Sequence, residues 1–311
     1  MLKDFYRKIF IFLTDKLVRK NNQIKNHIAH QKTEKEWDRH FKGSDQILYE
    51  LPGGLKIKLY RQSKLTEYIL FHEFEKAELC FFESYLQRND VVLDIGANIG
   101  FHTIHAGKLV GEEGRVFAFE PVLNSFAHLM ENIALNKSYN VIAANIGFSD
   151  KNEAATINVS ENYNAWNTLA KKDKMEANEA AKFNTTETIQ LQRLDDWISL
   201  NINNPEDISL VKIDVEGWEK YVILGGIHYF EINAPVVMME FSDVNTFAAG
   251  YQCLELYEMF ASFGYVWYRF DMNERKLKPF PKQFTYYSEN LIAVKPGSKG
   301  FERLVTKFII E

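Results

Sequence analysis

Several features that would settle a class at once are scarce. The 311 residues hold two cysteines, Cys80 and Cys253. That is too few for a disulfide framework, and they lack metal-ligand spacing, so a cytoplasmic protein with free thiols is expected. The N-terminal apolar run Ile9-Phe10-Ile11-Phe12-Leu13 falls short of a signal-peptide core and of the roughly 20 residues that cross a bilayer. No basic stripe accompanies the body of the chain. The formal charge is -5, and residues 1–25 hold seven Lys/Arg against two Asp, leaving 30 basic and 40 acidic residues elsewhere. A surface that follows a phosphate backbone needs the opposite balance, so nucleic acid is not expected as a partner.

What is present is a large apolar fraction, 46% with 14% aromatic residues, enough for a substantial core. Residues 1–45 read as a helical extension. Phe5, Ile9, Phe12, Leu13 and Leu17 fall near helical spacing among Lys3, Lys8, Lys16, Arg19 and Lys20, which suits peripheral contact with an anionic membrane or a helix docked on protein. Trp37 and Phe41 form an i, i+4 pair. Residues 46–64 read as an entrance hairpin, with Leu55, Ile57 and Leu59 alternating beyond Pro52-Gly53-Gly54. From Leu65 to Leu86, six aromatic residues share one helical face.

Beyond that point short apolar runs alternate with helical patterns. The runs lie at 91–95, 115–121, 141–148, 208–217, 234–241, 265–271 and 289–296, and the helical patterns at 101–110, 123–136, 218–226 and 251–264. Such alternation means βαβ units. The expectation is an α/β domain over 65–297 with a doubly wound, mostly parallel, seven-stranded sheet and helices on both faces. The last two runs lack an intervening helix and read as an antiparallel pair. Residues 149–190 read as an insertion, disordered or a lid, and 298–311 as a C-terminal tail. In the insertion, Tyr163, Trp166 and Asn167 combine aromatic faces with amides, a mixture suited to sugar recognition.

Ligands of an open parallel sheet sit beyond the carboxyl ends of its strands. Asp94, Glu120, Asp214 and Glu240 each close or nearly close an apolar run. The turn Asp94-Ile95-Gly96-Ala97-Asn98-Ile99-Gly100 spaces its glycines four apart, unlike the G-x-G-x-x-G of dinucleotide folds. Gly96 lets a ligand approach the backbone, and Gly100 lets a helix start tight against the strand. An acid at this position repels pyrophosphate and suits a cation. Glu120, followed by Pro121, ends the second strand where an acid takes ribose hydroxyls. A cationic nucleoside without phosphates is S-adenosylmethionine.

DVVLDIGANIG, the FAFEP strand end, LQRLDDWI (191–198), LVKIDVEGWEKYVILGG (210–226) and NLIAVKP (290–296) resemble the FkbM family of S-adenosylmethionine-dependent methyltransferases over about residues 65–297. The resemblance implies a class I, Rossmann-like methyltransferase fold and O-methylation of sugar or polyketide-like hydroxyls. It also implies that Asp94 to Gly100 and Glu120 hold the cofactor and that the segment around Asp214 faces the acceptor.

The residues themselves support an acceptor-side role for the fourth run. Lys212 and Asp214 share one side of a strand covered on both faces, where an unpaired Lys is costly, so an ion pair with Asp214 or Glu240 is expected. An alkyl hydroxyl, about as weak an acid as water, needs a base or a metal to take its proton. Asp214 is the first candidate base, with Glu216 and Glu240 in reserve. His102 and His105 lie near one turn apart at the helix start, and His102 is the one considered for the site. The carboxylates could instead hold Mg²⁺, although no spacing requires a metal. The expected acceptor is a small molecule or glycan. A nicotinamide-dependent oxidoreductase is disfavoured by the glycine spacing, and a cofactor-fold module that only binds is the rival of another class.

Overall fold

The computed structural model describes residues 35–71, 74–160, 167–170 and 183–310. The amphipathic run at 3–20 lies outside them, as do Tyr163 and Trp166. The chain divides into two units, residues 1–47 with 59–61, and residues 48–58 with 62–311. In the first, residues 35–41 are helical, the Trp37 and Phe41 rings lie 5.0 Å apart, and Arg61 pairs with Asp38. The expected hairpin is present as β1 (Gln46–Glu50) and β2 (Lys56–Tyr60) about a 3-10 turn at Pro52–Gly54.

The second unit carries the main sheet. Its strands are β3 (Val91–Ile95), β4 (Arg115–Phe119), β5 (Val141–Ala144), β9 (Ile208–Ile213), β10 (Val236–Ser242), β11 (Val266–Asp271), β12 (Lys276–Pro279), β13 (Tyr287–Val294) and β14 (Ile309–Ile310). Their order is β14-β12-β11-β13-β10-β9-β3-β4-β5. From β5 to β10 neighbours run parallel; β13 is antiparallel to both β10 and β11. This is the doubly wound sheet expected from the alternating runs, with one correction: it has nine strands, not seven. The two added at one edge are short. β12 reads Lys-Leu-Lys-Pro and β14 has two residues, so neither carries a periodic signal of its own.

Alternation along the strands sorts the core into two faces. Leu93, Val211, Val237 and Met239 pack with Leu194 and Trp197, Val222 and Ile223, and Leu256 and Phe260. These belong to helices α5 (Leu194–Asn201), α6 (Glu219–Gly225) and α9 (Cys253–Ser262). Val92, Leu210, Val236 and Met238 pack on the other face with Phe81, Phe82, Ala106, Val110 and Leu304. These belong to α2 (Lys76–Tyr85), α3 (Phe101–Val110) and α10 (Lys299–Lys307). At the carboxyl end this second face changes character, because the same alternation continues through Asp94, Lys212, Asp214 and Glu240.

Three further expectations need correction. The aromatic segment from Leu65 is two helices, α1 (Lys64–Phe71) and α2, with Glu75 in the left-handed region between them. The stretch 149–190 is in part a sheet: β7 (Glu153–Val159) and β8 (Thr185–Gln192) pair antiparallel, and β6 (Gly147–Phe148), detached from the third run, joins β8. Ile157, Ile189 and Leu191 give this small sheet its own core with Val122. Residues 298–310 are a docked element rather than a tail. Leu304 and Phe308 are buried, and Arg303 reaches the buried Asp90 at 2.7 Å.

Candidate active site

Strands β3 and β9 are neighbours from which the chain winds outward in opposite directions, so the switch point lies between them. At their carboxyl ends Asp214 N donates to Ile95 O at 3.0 Å. Gly96 sits here at φ 86, and a Cβ on it would lie 1.8 Å from the Asp214 carbonyl oxygen. The contact that demands glycine is thus the neighbouring chain, rather than only a ligand as the turn itself suggested. Gly100, at φ 89, caps α3, and a Cβ there would strike Leu129. Its freedom therefore serves packing against α4 (Leu123–Leu135), where close packing on the strand was expected.

Two hollows meet at this turn and share Gly96, Asn98, Asp214 and Glu216. The first is a narrow slot walled by Phe119, Glu120, Pro121, Ile146, Phe148, Asn167, Leu169 and Trp218. Glu120 is fixed by two backbone donors, Asn98 N at 3.0 Å and Val122 N at 2.9 Å. Burial nevertheless pushes its carboxyl up to about 7. A carboxylate held by backbone N–H groups keeps free lone pairs for vicinal hydroxyls, and the apolar walls suit a flat purine. The slot therefore fits the nucleoside half of S-adenosylmethionine. Asn167, expected on the acceptor side, lines this slot instead. The insertion reaches it through the bridge of Thr168 to Asn158 and a hydrogen bond from Thr168 Oγ1 to the Glu216 carbonyl at 2.7 Å.

The second hollow is a cavity of about 490 Å³ walled by Leu65, Tyr68, Phe74 and Glu75, by Ala97 to Ile99 with Phe101 and His102, and by Lys212, Asp214, Glu216, Glu240, Ser288 and Asn290. Lys212 lies 3.0 Å from Asp214 Oδ2, and its side chain is 3% exposed. Burial works against its charge, but Asp214, Asp94 and Glu75 together keep the ammonium protonated. The expected ion pair is therefore with Asp214. Glu240 accepts from Ser288 Oγ at 3.1 Å and Glu216 from Asn245 Nδ2 at 2.8 Å. Burial, followed by the charges of its neighbours, raises Glu216 well above the usual carboxylate range and Glu240 to about 8.

Asp214, Glu216 and Glu240 each offer an oxygen within 4.8 Å of the others. One oxygen of each already meets Lys212, Asn245 or Ser288, and the group can share protons without any other occupant. Asp94 differs from its expected role. It is buried, and its Oδ2 accepts from Thr103 Oγ1 at 2.6 Å, so it ties α3 to the strand and acts on the cavity through Lys212 instead of lining it. His102 does reach the cavity, with Nε2 2.6 Å from Glu75 Oε2. His105 turns away to the Phe101 carbonyl, and burial lowers its imidazole to about 4.

Glu75, Asn245, Ser288 and Asn290 were not singled out in the sequence. Each comes to the site through tertiary placement: Asn290 by pairing opposite Glu240, Asn245 by the short helix α8 (Asp243–Ala248), and Glu75 by the break between α1 and α2. A further cavity of about 580 Å³, lined by Tyr85, Asp90, Lys295 and Arg303, lies at the amino ends of β3, β9 and β10. It is the wrong end of the sheet for this chemistry.

Residues 94–267 match the Methyltransferase FkbM domain family. No curated protein matches the sequence. The chain is similar to the solved structure of a methyltransferase FkbM from Methylobacillus flagellatus KT, at 13% identity and a TM-score of 0.39, over 74% of this chain and 53% of that one. It is also similar to a precorrin-6y C5,15-methyltransferase from Geobacter metallireducens, at 14% and 0.39, over 71% of this chain and 87% of that one. An O-methyltransferase from Thermotoga maritima is 12% identical, with a TM-score of 0.40, over 83% of this chain and 80% of that one. The family match takes in the carboxyl end of β3, the glycine turn, Glu120 and the Lys212 to Glu216 segment, and it spans more than half of the chain, so the protein belongs to the FkbM methyltransferase family and is an S-adenosylmethionine-dependent enzyme.

Proposed function

We propose that the protein is an O-methyltransferase whose acceptor is a hydroxyl of a sugar, a glycan or another small molecule. The observation that carries this reading is the carboxylate group Asp214, Glu216 and Glu240, which stands in the 490 Å³ cavity next to the turn shared with the nucleoside slot. S-adenosylmethionine supplies an electrophilic methyl group on a cationic sulfur; the turn from Gly96 to Gly100, Glu120 and Pro121 would hold it. The chain's own task is to seat the hydroxyl and take its proton as the new bond forms.

Asp214 is the first candidate for that role, since its Oδ1 is left when Oδ2 faces Lys212. Glu240 titrates at about 8, in the range where a base combines availability with driving force. Ser288, Asn290 and Asn245 supply the neutral hydrogen-bonding groups that a polyol needs. The same walls argue against a polyphosphate acceptor, because among the described lining residues Glu75, Asp214, Glu216 and Glu240 are set against a single lysine, Lys212. Among the described residues no helix is long and apolar enough to cross a membrane. The two cysteines, free in the structure, agree with work in the cytoplasm, and contact with a membrane surface would fall to the basic N-terminal stretch.

The test is incubation of extracted glycans and metabolites with enzyme and isotopically labelled methyl donor, followed by mass spectrometry. A labelled methyl ether is expected, whereas label on nitrogen or carbon would refute the reading. Asp214→Asn and Glu240→Gln are each expected to lower turnover about 100-fold or more while cofactor affinity stays within a few-fold, as for loss of a positioned base.

A further inference from the structure

S-adenosylmethionine ends in an amino acid, so its site must receive an ammonium and a carboxylate as well as a nucleoside. With the ribose at Glu120, the methionyl end has to pass Gly96 and Asn98 into the 490 Å³ cavity. There it meets the wall made by the glycine turn, the start of α3 and Glu75. The four carboxylates of that cavity have different partners. Asp214 faces Lys212, Glu216 faces Asn245, and Glu240 faces Ser288, all on the side of β9, β10 and β13. Glu75, at the break before α2, stands instead against His102 of α3, at 2.6 Å.

Its backbone is unusual too. Glu75 has φ 44 and ψ 38 at the N-cap of α2, a left-handed conformation that costs a non-glycine residue of order 1 kcal/mol or more and persists where surroundings enforce it. It turns the side chain from the helical run toward His102, whose ring is in turn held against Phe82 and Phe101. Burial would neutralise this carboxyl, but His102 and Lys212 hold it below the usual carboxylate range. An anion is thus maintained in the cavity wall, beside the Lys212 ammonium.

We infer that Glu75 is the receptor for the α-ammonium of the donor's methionyl group, and that His102 is the positioning residue that orients it. The inference rests on cofactor use alone and is independent of the acceptor. Calorimetry with S-adenosylhomocysteine and with 5′-methylthioadenosine, which lacks the amino acid, tests it on the intact chain. Glu75→Gln is expected to weaken S-adenosylhomocysteine at least tenfold and to leave 5′-methylthioadenosine within twofold. Unchanged affinity for the first ligand, or equal loss for both, overturns the assignment. A second arm needs no variant to fold: an S-adenosylhomocysteine analogue without the α-amino group should bind the wild-type protein at least tenfold more weakly than the parent, and equal binding refutes the inference.

Discussion

Glu120 shows how much a single side chain can be asked to do. Its two oxygens take backbone N–H groups from both sides of the slot, Asn98 on the glycine turn and Val122 beyond the strand, so the carboxylate is aimed before any ligand arrives. Charge-assisted hydrogen bonds to such a group contribute about 1.5–3 kcal/mol each. Glu120→Ala is therefore expected to weaken S-adenosylmethionine binding by about 10- to 100-fold in calorimetry, and affinity within threefold of wild type would remove Glu120 from the ribose site. Lys212 and Asp214 pose the opposite problem. Removing one partner of a buried pair strands the other, so substitutions here mix catalysis with stability. Asp214→Asn keeps a hydrogen-bonding partner for the ammonium, which makes it the informative change.

At the scale of elements, the site depends on breaks and ends more than on regular structure. The break before α2 delivers Glu75, the six residues of α8 deliver Asn245, and the irregular register at Phe241 and Ser242 opens β10 where it meets β13. Support comes from elsewhere. Helix α10 follows the last long strand and seals the face lined by Phe81, Tyr85 and Val236, with Leu304 fully buried. Truncating such a side chain leaves a cavity and costs about 2–4 kcal/mol. Leu304→Ala should lower the denaturation midpoint accordingly while turnover per folded molecule stays near wild type. A midpoint unchanged by this substitution would mean that residues 298–310 are the loose tail their sequence suggested.

For the whole molecule, the unusual quantity is the number of protons held in the fold. Burial raises Glu120 and Glu219 to about 7 and Glu240 to about 8, against 4.5 when unfolded. In this range the native state binds protons that the unfolded chain has released, so stability is full below the unfolded value and is lost as pH rises through the folded values. His105, lowered to about 4 by burial, acts in the other direction, but only below about 6.5, where the unfolded imidazole takes up its proton. Between pH 6.5 and 8.5 the carboxyls dominate, and the cofactor-free protein should lose roughly 3 kcal/mol. Thermal melts across that interval check the sign. A midpoint that rises with pH would contradict these protonation states, and Glu120→Gln should flatten the slope.

By itself the sequence determined the parts that are local and repetitive. Short apolar runs separated by helical patterns must make parallel strands with crossovers, and a glycine turn followed 20 residues later by Glu120 must put a carboxylate beside it, because both follow from chain geometry over one βαβ unit. Lys212 and Asp214 were legible as a pair because a buried strand cannot afford the lysine otherwise. Tertiary structure decided what depends on distant segments meeting. It placed Asp94 behind the wall and Asn167 in the nucleoside slot, added β12 and β14 to the sheet edge, folded 298–310 onto the core, and brought Glu75 to His102. The partners that give these positions their meaning sit on other elements, from nine residues away for Asp94 and Thr103 to more than two hundred for Asp90 and Arg303, and no local pattern names them.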